Sequence, residues 1–241
     1  IDQFISQPYF EVEAVFDNHS PWSAFWNFNY HLKEPISHQL DSELTNQLIQ
    51  RIKTNPSFKV INIESKEVNI KPPAPFTTST LQQAASVNLD ISPDKTMQLA
   101  QKLYEEGYIT YHRTDSVNLS KEAITEIRSW IKTYTESNNL PDLLPEKAQT
   151  FTSSNNSQEA HEGIRPTTIS NVRPSDLTPE EGTIYSLIWQ RTVGSQMENC
   201  KNLNTIITLE SLVNFNGNQP IFIAKGSVSL LKGWKFLVQD A

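Results

Sequence analysis

Cysteine is nearly missing from this chain of 241 residues, with Cys200 the sole example. One thiol cannot build a disulfide framework or a multi-cysteine zinc module, and a reducing cytoplasm is the expected compartment. No apolar run approaches the ~20 residues that a membrane helix needs, so no membrane partner is expected. The opening IDQFISQPYFEVEAVF is mixed and acidic, unlike a signal peptide, and starts on Ile1 rather than Met, which reads as an excised interior piece. A surplus of positive charge is lacking too. The formal net charge is −7, from 20 basic and 27 acidic residues. Residues 1–70 hold 5 basic and 9 acidic groups, and residues 71–201 hold 12 and 16, so no stretch carries the basic footprint of a strong nucleic-acid binder. Composition by itself does not suggest DNA. Any DNA contact has to be local or made largely by other domains.

What is present supports folded cores: 37% hydrophobic residues, 10% aromatics and five Trp. Three zones follow one another. In residues 1–70 the pattern is mostly strand-like, with Trp22–Tyr30 alternating and Phe58–Ile70 extended. One helix interrupts, carrying Leu40, Leu44, Leu48 and Ile52, and Asn55-Pro56 stops it. The connector KPPAP, Lys71 to Pro75, is stiff because each Pro fixes φ and removes a donor.

The middle zone is helical. Ser92-Pro93 opens a helix that Gly107 closes, and Ser120 caps another through Ile131. Residues 135–158 read as a polar surface loop. Thr178-Pro179-Glu180-Glu181 is a capping box, and its helix is expected to run to about Cys200. Alternation returns from Leu203 to Leu209, and Asn216-Gly217 marks a hairpin turn. The arrangement predicts an α+β multidomain chain, with a discontinuous β-rich domain (1–70 and 202–241) interrupted by a mainly helical domain (71–201).

Two segments are dense in reactive groups. GYITYHRTDS, Gly107 to Ser116, presents Tyr111, Arg113 and Asp115, and QEAHEGIRPT, Gln158 to Thr167, presents His161, Glu162 and Arg165. A phenol can attack phosphorus, but its ordinary pKa near ~10 leaves little phenolate at neutral pH, so it needs a cation or base nearby. In an extended chain residues i and i+2 share a face, which lets Tyr111 and Arg113 meet one phosphate. His161 could donate to a non-bridging oxygen, and Arg165 could do so bidentately. On spacing alone, such residues more often serve packing, turns or a solvated face.

Four strings in order shift that balance: PFTTSTLQQAAS (75–86), KTMQLAQKLYEEGYITYHRTDS (95–116), QEAHEGIRPT (158–167) and LIWQRTVGSQM (187–197). Together they resemble the tyrosine-bearing region of bacterial type IA DNA topoisomerases. The resemblance implies that Tyr111 is the nucleophile that forms a 5′-phosphotyrosine on a single strand. It implies that Arg113 stabilises the attacked phosphate, that His161 assists, that Arg165 contacts phosphate, and that Asp115 and Glu162 orient their neighbours. His112 stands where the family more often has Met or Pro.

The resemblance further implies a β-rich arch carrying an inserted winged-helix-like (CAP-like) domain, and single-stranded or negatively supercoiled DNA as partner near the nucleoid. Mg²⁺ is expected only in the complete enzyme, with its ligands outside this chain. No D-x-D-x-x-x-E string and no P-loop occurs here. The expected partner is therefore a separate N-terminal metal-binding domain of the same protein, without which the fragment should be inert. A non-catalytic single-stranded DNA-binding module is the alternative. Tyrosine recombinases place the nucleophile after the His/Arg cluster and relaxases need a His-x-His triad, so both fit poorly.

Overall fold

The computed structural model describes residues 6–18, 20–151 and 161–237. Residues 158–160 of the second dense segment, and the end of the polar loop, lie outside them. By contacts the chain forms two units, Ile1–Val68 with Asn202–Val228 and Asn69–Lys201 with Ser229–Ala241. The content is mixed α/β with a five-stranded antiparallel sheet.

The first unit carries the sheet, in the order β1-β2-β5-β4-β3. Its strands are β1 (Glu13–Asn18), β2 (Ser20–Trp26), β3 (Phe58–Ile70), β4 (Cys200–Ser211) and β5 (Ile221–Leu231). β1 and β2 form a hairpin with Glu13 opposite Phe25 and Asn18 opposite Ser20. Alternation puts Ala24 fully inside while Phe25 faces out. The strand expected to reach Tyr30 stops at Trp26, because Asn27 and Asn29 turn the chain: Tyr30 N–H donates to Asn27 O. Helix α1 (Ser42–Thr54) starts on the Asp41 side chain, which accepts from Leu44 N–H. It contributes fully buried Leu48 to a core with Val12, Ala24, Leu209, Phe222 and Ala224. At Asn216-Gly217 both φ angles are positive (52° and 82°), and Phe215 and Asn218 exchange backbone hydrogen bonds across the turn.

The second unit packs α2 (Thr78–Leu89), α3 (Pro93–Glu105), α4 (Lys121–Ser137) and α5 (Pro179–Gly194) around Leu81, Leu103, Ile127, Ile184 and Ile188. Each begins where a hydroxyl satisfies an orphan N–H: Thr77, Ser92, Ser120 and Thr178. The stretch 77–80 is poor in strong helix formers, so α2 is not delimited by periodicity, although its cap is a full capping box. α5 ends at Gly194, short of Cys200. Beyond it, Glu198 N–H goes to Leu143 O and the Gln196 amide to Gln149, tertiary partners that periodicity cannot register. By contacts the end of β5 and residues 232–237 after it group with this helical unit: Trp234 packs on the helical core and its indole N–H donates to Ile70 O.

Candidate active site

The two dense segments meet through their backbones. Ile109 bridges Pro166, Thr110 N–H donates to Arg165 O at 2.8 Å, and Thr167 N–H donates to Tyr108 O. The Thr110 hydroxyl donates to Gly163 O and accepts from Arg165 N–H. Ile164 in turn bridges Phe76, and Gly163 N–H donates to Asn118 O. Gly163 is squeezed here: a Cβ would sit 3.1 Å from the Pro75 Cβ and 3.3 Å from Ser116 O.

From 111 to 116 burial alternates, with Tyr111, Arg113 and Asp115 exposed and His112, Thr114 and Ser116 buried, although the chain bends at His112 and Arg113 and forms no regular strand. Tyr111 is 48% exposed, its ring set edge-on to Tyr104 at 5.2 Å and to His112 at 5.3 Å. Tyr108, three residues earlier, differs sharply. Its hydroxyl donates to the Asp176 carboxylate, and that bond, with burial and the Asp176 charge, pushes its pKa up to about 12. Of the two tyrosines in the Tyr108–Tyr111 string, the first is tied to a carboxylate and the second is half-exposed.

The segment is held from behind by Thr78, a residue given no role by motif reading. The Thr78 hydroxyl donates to His112 O at 2.8 Å and accepts from Thr114 N–H, while Thr78 N–H donates to Thr114 O. Its signal in the sequence is the run Thr77-Thr78-Ser79-Thr80, which holds more hydroxyls than a cap requires.

Arg165 and Glu162 bind each other bidentately, with the guanidinium also donating to Pro166 O. Glu162 Oε1 accepts from Ser120 N–H as well. Burial alone would raise the Glu162 pKa, but the Arg165 and Ser120 hydrogen bonds and the Arg165 charge outweigh it and leave the carboxyl below its ordinary range. His161 is exposed at the head of this segment. The ring contacts of Tyr111 are with Tyr104 and His112 and not with His161.

His112 is only 3% exposed, and among the described residues neither ring nitrogen has a hydrogen-bond partner. Burial, then the Arg113 charge, lowers its pKa against a smaller opposing pull from Glu105, so the ring is neutral at pH 7. An unsatisfied buried polar group costs about 1–3 kcal/mol. Arg191 on α5 lies 4.2 Å over the Phe76 ring, and burial lowers its pKa.

Among the described residues no three His, Cys, Asp or Glu side chains gather as a metal site, so they do not fit the divalent ion that the resemblance implies. No helix among them is long and apolar enough to cross a membrane.

An exposed phenol two residues before an exposed guanidinium is thus carried on a segment locked by backbone bonds to a second motif more than fifty residues on. A family profile described as DNA topoisomerase matches residues 1–240. The chain belongs to the bacterial type IA DNA topoisomerases. It is 41% identical over 202 residues to DNA topoisomerase 1 of Buchnera aphidicola from Schizaphis graminum, covering 81% of this chain and 23% of that protein. Against DNA topoisomerase 1 of Escherichia coli it is 36% identical over 211 residues, covering 87% and 24% respectively. Among solved structures it resembles full-length topoisomerase I from Thermotoga maritima, with a TM-score of 0.73 and 26% identity, over 98% of this chain and 37% of that one. The chain thus spans about a quarter of the length of these curated relatives.

Proposed function

We propose that this chain is the tyrosine-bearing segment of an enzyme that relaxes negatively supercoiled DNA through a transient single-strand break. The observation that carries this is the exposure of both Tyr111 and Arg113, with no hydrogen bond to the Tyr111 hydroxyl among the described residues, while Tyr108 is tied to Asp176. In the reaction, Tyr111 Oη attacks phosphorus as it gives up its proton. The bond to the 3′-oxygen breaks, that oxygen takes a proton, and a 5′-phosphotyrosine remains. Resealing reverses these steps, so the phosphodiester energy is kept in the tyrosyl bond and no nucleotide is needed.

Arg113 offsets the charge that builds on the phosphoryl oxygens. His161, from the second segment, donates to the attacked group. Arg165 meets a neighbouring phosphate with the guanidinium donors left over from Glu162 and Pro166. Glu162 orients Arg165, and Asp115 orients the Tyr-x-Arg face. The outer strands would form an arch, and the helical unit a winged-helix-like (CAP-like) domain carried within it. On this reading Mg²⁺ is held by a separate acidic domain of the same protein, and the work is done in the cytoplasm at the nucleoid.

The test uses the longer protein. Tyr111→Phe should abolish both relaxation and the covalent adduct with a labelled single-stranded oligonucleotide, while oligonucleotide binding persists. A non-catalytic single-strand binding module would keep its function in that variant. The isolated chain with oligonucleotide and Mg²⁺ should form no adduct, and an adduct at the level of the longer protein would overturn the need for a separate domain.

A further inference from the structure

His112 is a buried titratable side chain that the proposed reaction leaves unused. It lies beneath the reactive face, with its ring 5.7 Å from Tyr104 and 5.3 Å from Tyr111. Tyr104 and Tyr111 also touch each other at 5.2 Å, so the three rings form a closed set in which each contacts the other two. The backbone of His112 is fixed as well, by the Thr78 hydroxyl on its carbonyl. A side chain with both nitrogens unsatisfied, kept inside in spite of that, is acting as an aromatic body.

We propose that His112 is a positioning residue for Tyr111, its ring forming with Tyr104 the aromatic seat that directs the Tyr111 hydroxyl outward. This rests on Tyr111 being the nucleophile. The seat is stable only while the imidazole is neutral. A proton on His112 would create a buried cation with no acceptor among the described residues, beside Arg113. The other groups facing it are Glu105 and Tyr104 from α3, neutral Thr78 from α2, and Tyr111. Glu105 attracts the proton, but burial and Arg113 prevail. Protonation therefore favours a ring that leaves the seat for water, and Tyr111 loses its alignment.

The experiment measures single-turnover adduct formation with a single-stranded oligonucleotide from pH 5 to 8, in the longer protein. Because the His112 pKa is lowered, wild type should react more slowly at pH 5 than at pH 7.5, with the loss concentrated at the acid end of the range. His112→Phe keeps a ring with nothing to titrate, and its ratio between those two pH values should shrink to about twofold or less. His112→Met, equally unable to titrate, should flatten the profile in the same way and keeps the test open if the Phe variant does not fold. His112→Gln removes the ring and should slow adduct formation at pH 7.5 by about fivefold with oligonucleotide affinity unchanged. A flat wild-type profile, a Phe or Met variant that follows the wild-type pH curve, or a Gln variant at wild-type rate overturns the proposal. An adduct persisting in Tyr111→Phe would overturn the nucleophile assignment itself, a failure distinct from that of His112.

Discussion

Thr78 shows how one hydroxyl can govern a reactive loop. It serves two residues of the 111–116 segment, donating to His112 O and accepting from Thr114 N–H, so its loss leaves one acceptor and one donor unmatched. Thr78→Val should destabilise the protein by about 1–2 kcal/mol in urea titration, and Thr78→Ser should restore most of it. Glu162 makes a prediction of a different kind. Its folded pKa lies below the ordinary 4.5, so it contributes stability that is complete above pH 4.5 and disappears as pH falls through the folded value. Acid unfolding followed by circular dichroism should show Glu162→Gln with a flatter slope below pH 4.5 than wild type. The same ion pair bears on Arg165: in the proposed reaction it has for phosphate only the donors that Glu162 and Pro166 leave.

Helix ends decide how α3 and α5 sit together. Thr178 and Glu181 form a reciprocal capping box, and Glu181 also binds Lys102 of α3. The Lys102 bond, then the Thr178 backbone and side-chain bonds, hold the Glu181 pKa down to about 2. Its contribution is therefore intact above pH 4.5 and fades only as pH falls towards about 2, so the tie between α3 and α5 should outlast the Glu162 pair on acidification. Thr178→Ala removes the cap acceptor and should cost about 1 kcal/mol, read as a lower thermal midpoint. The short 3₁₀ turn Gly233–Phe236 is more demanding. Gly233 has φ +51°, and a Cβ there would lie 2.4 Å from Asn199 O, so neither backbone nor space admits a side chain. Gly233→Ala should destabilise by at least about 2 kcal/mol and release Trp234, visible as a change in tryptophan emission.

At the scale of the molecule, the acidic balance and the reactive face coexist because the second is small. The net charge of −7 is spread over 241 residues, while the reactive chemistry is concentrated in two strings joined by a few backbone bonds. That distribution predicts weak phosphate contact by this chain alone. Oligonucleotide affinity of the isolated chain should accordingly show a shallow salt dependence, shallower than that of the longer protein. A slope matching the longer protein would place the main phosphate contacts here instead.

Much of this was legible locally. Ser92-Pro93, Ser120 and Thr178 with Glu181 announce helix starts because capping is settled within four residues. The alternation that leaves Tyr111, Arg113 and Asp115 exposed was also expected from the sequence, although the chain bends at 112–113. The early end of α5, the helical packing of residues 229–237, the Thr78 clamp and the capture of Tyr108 by Asp176 were not legible. Each depends on a partner dozens of residues away. The sequence by itself determined the element starts and the order of reactive residues, since these follow from backbone geometry over one or two turns. Only the tertiary structure decided which of two neighbouring phenols is tied to a carboxylate and which imidazole is buried with no hydrogen-bond partner among the described residues, because burial and long-range hydrogen bonding exist only once distant segments have packed.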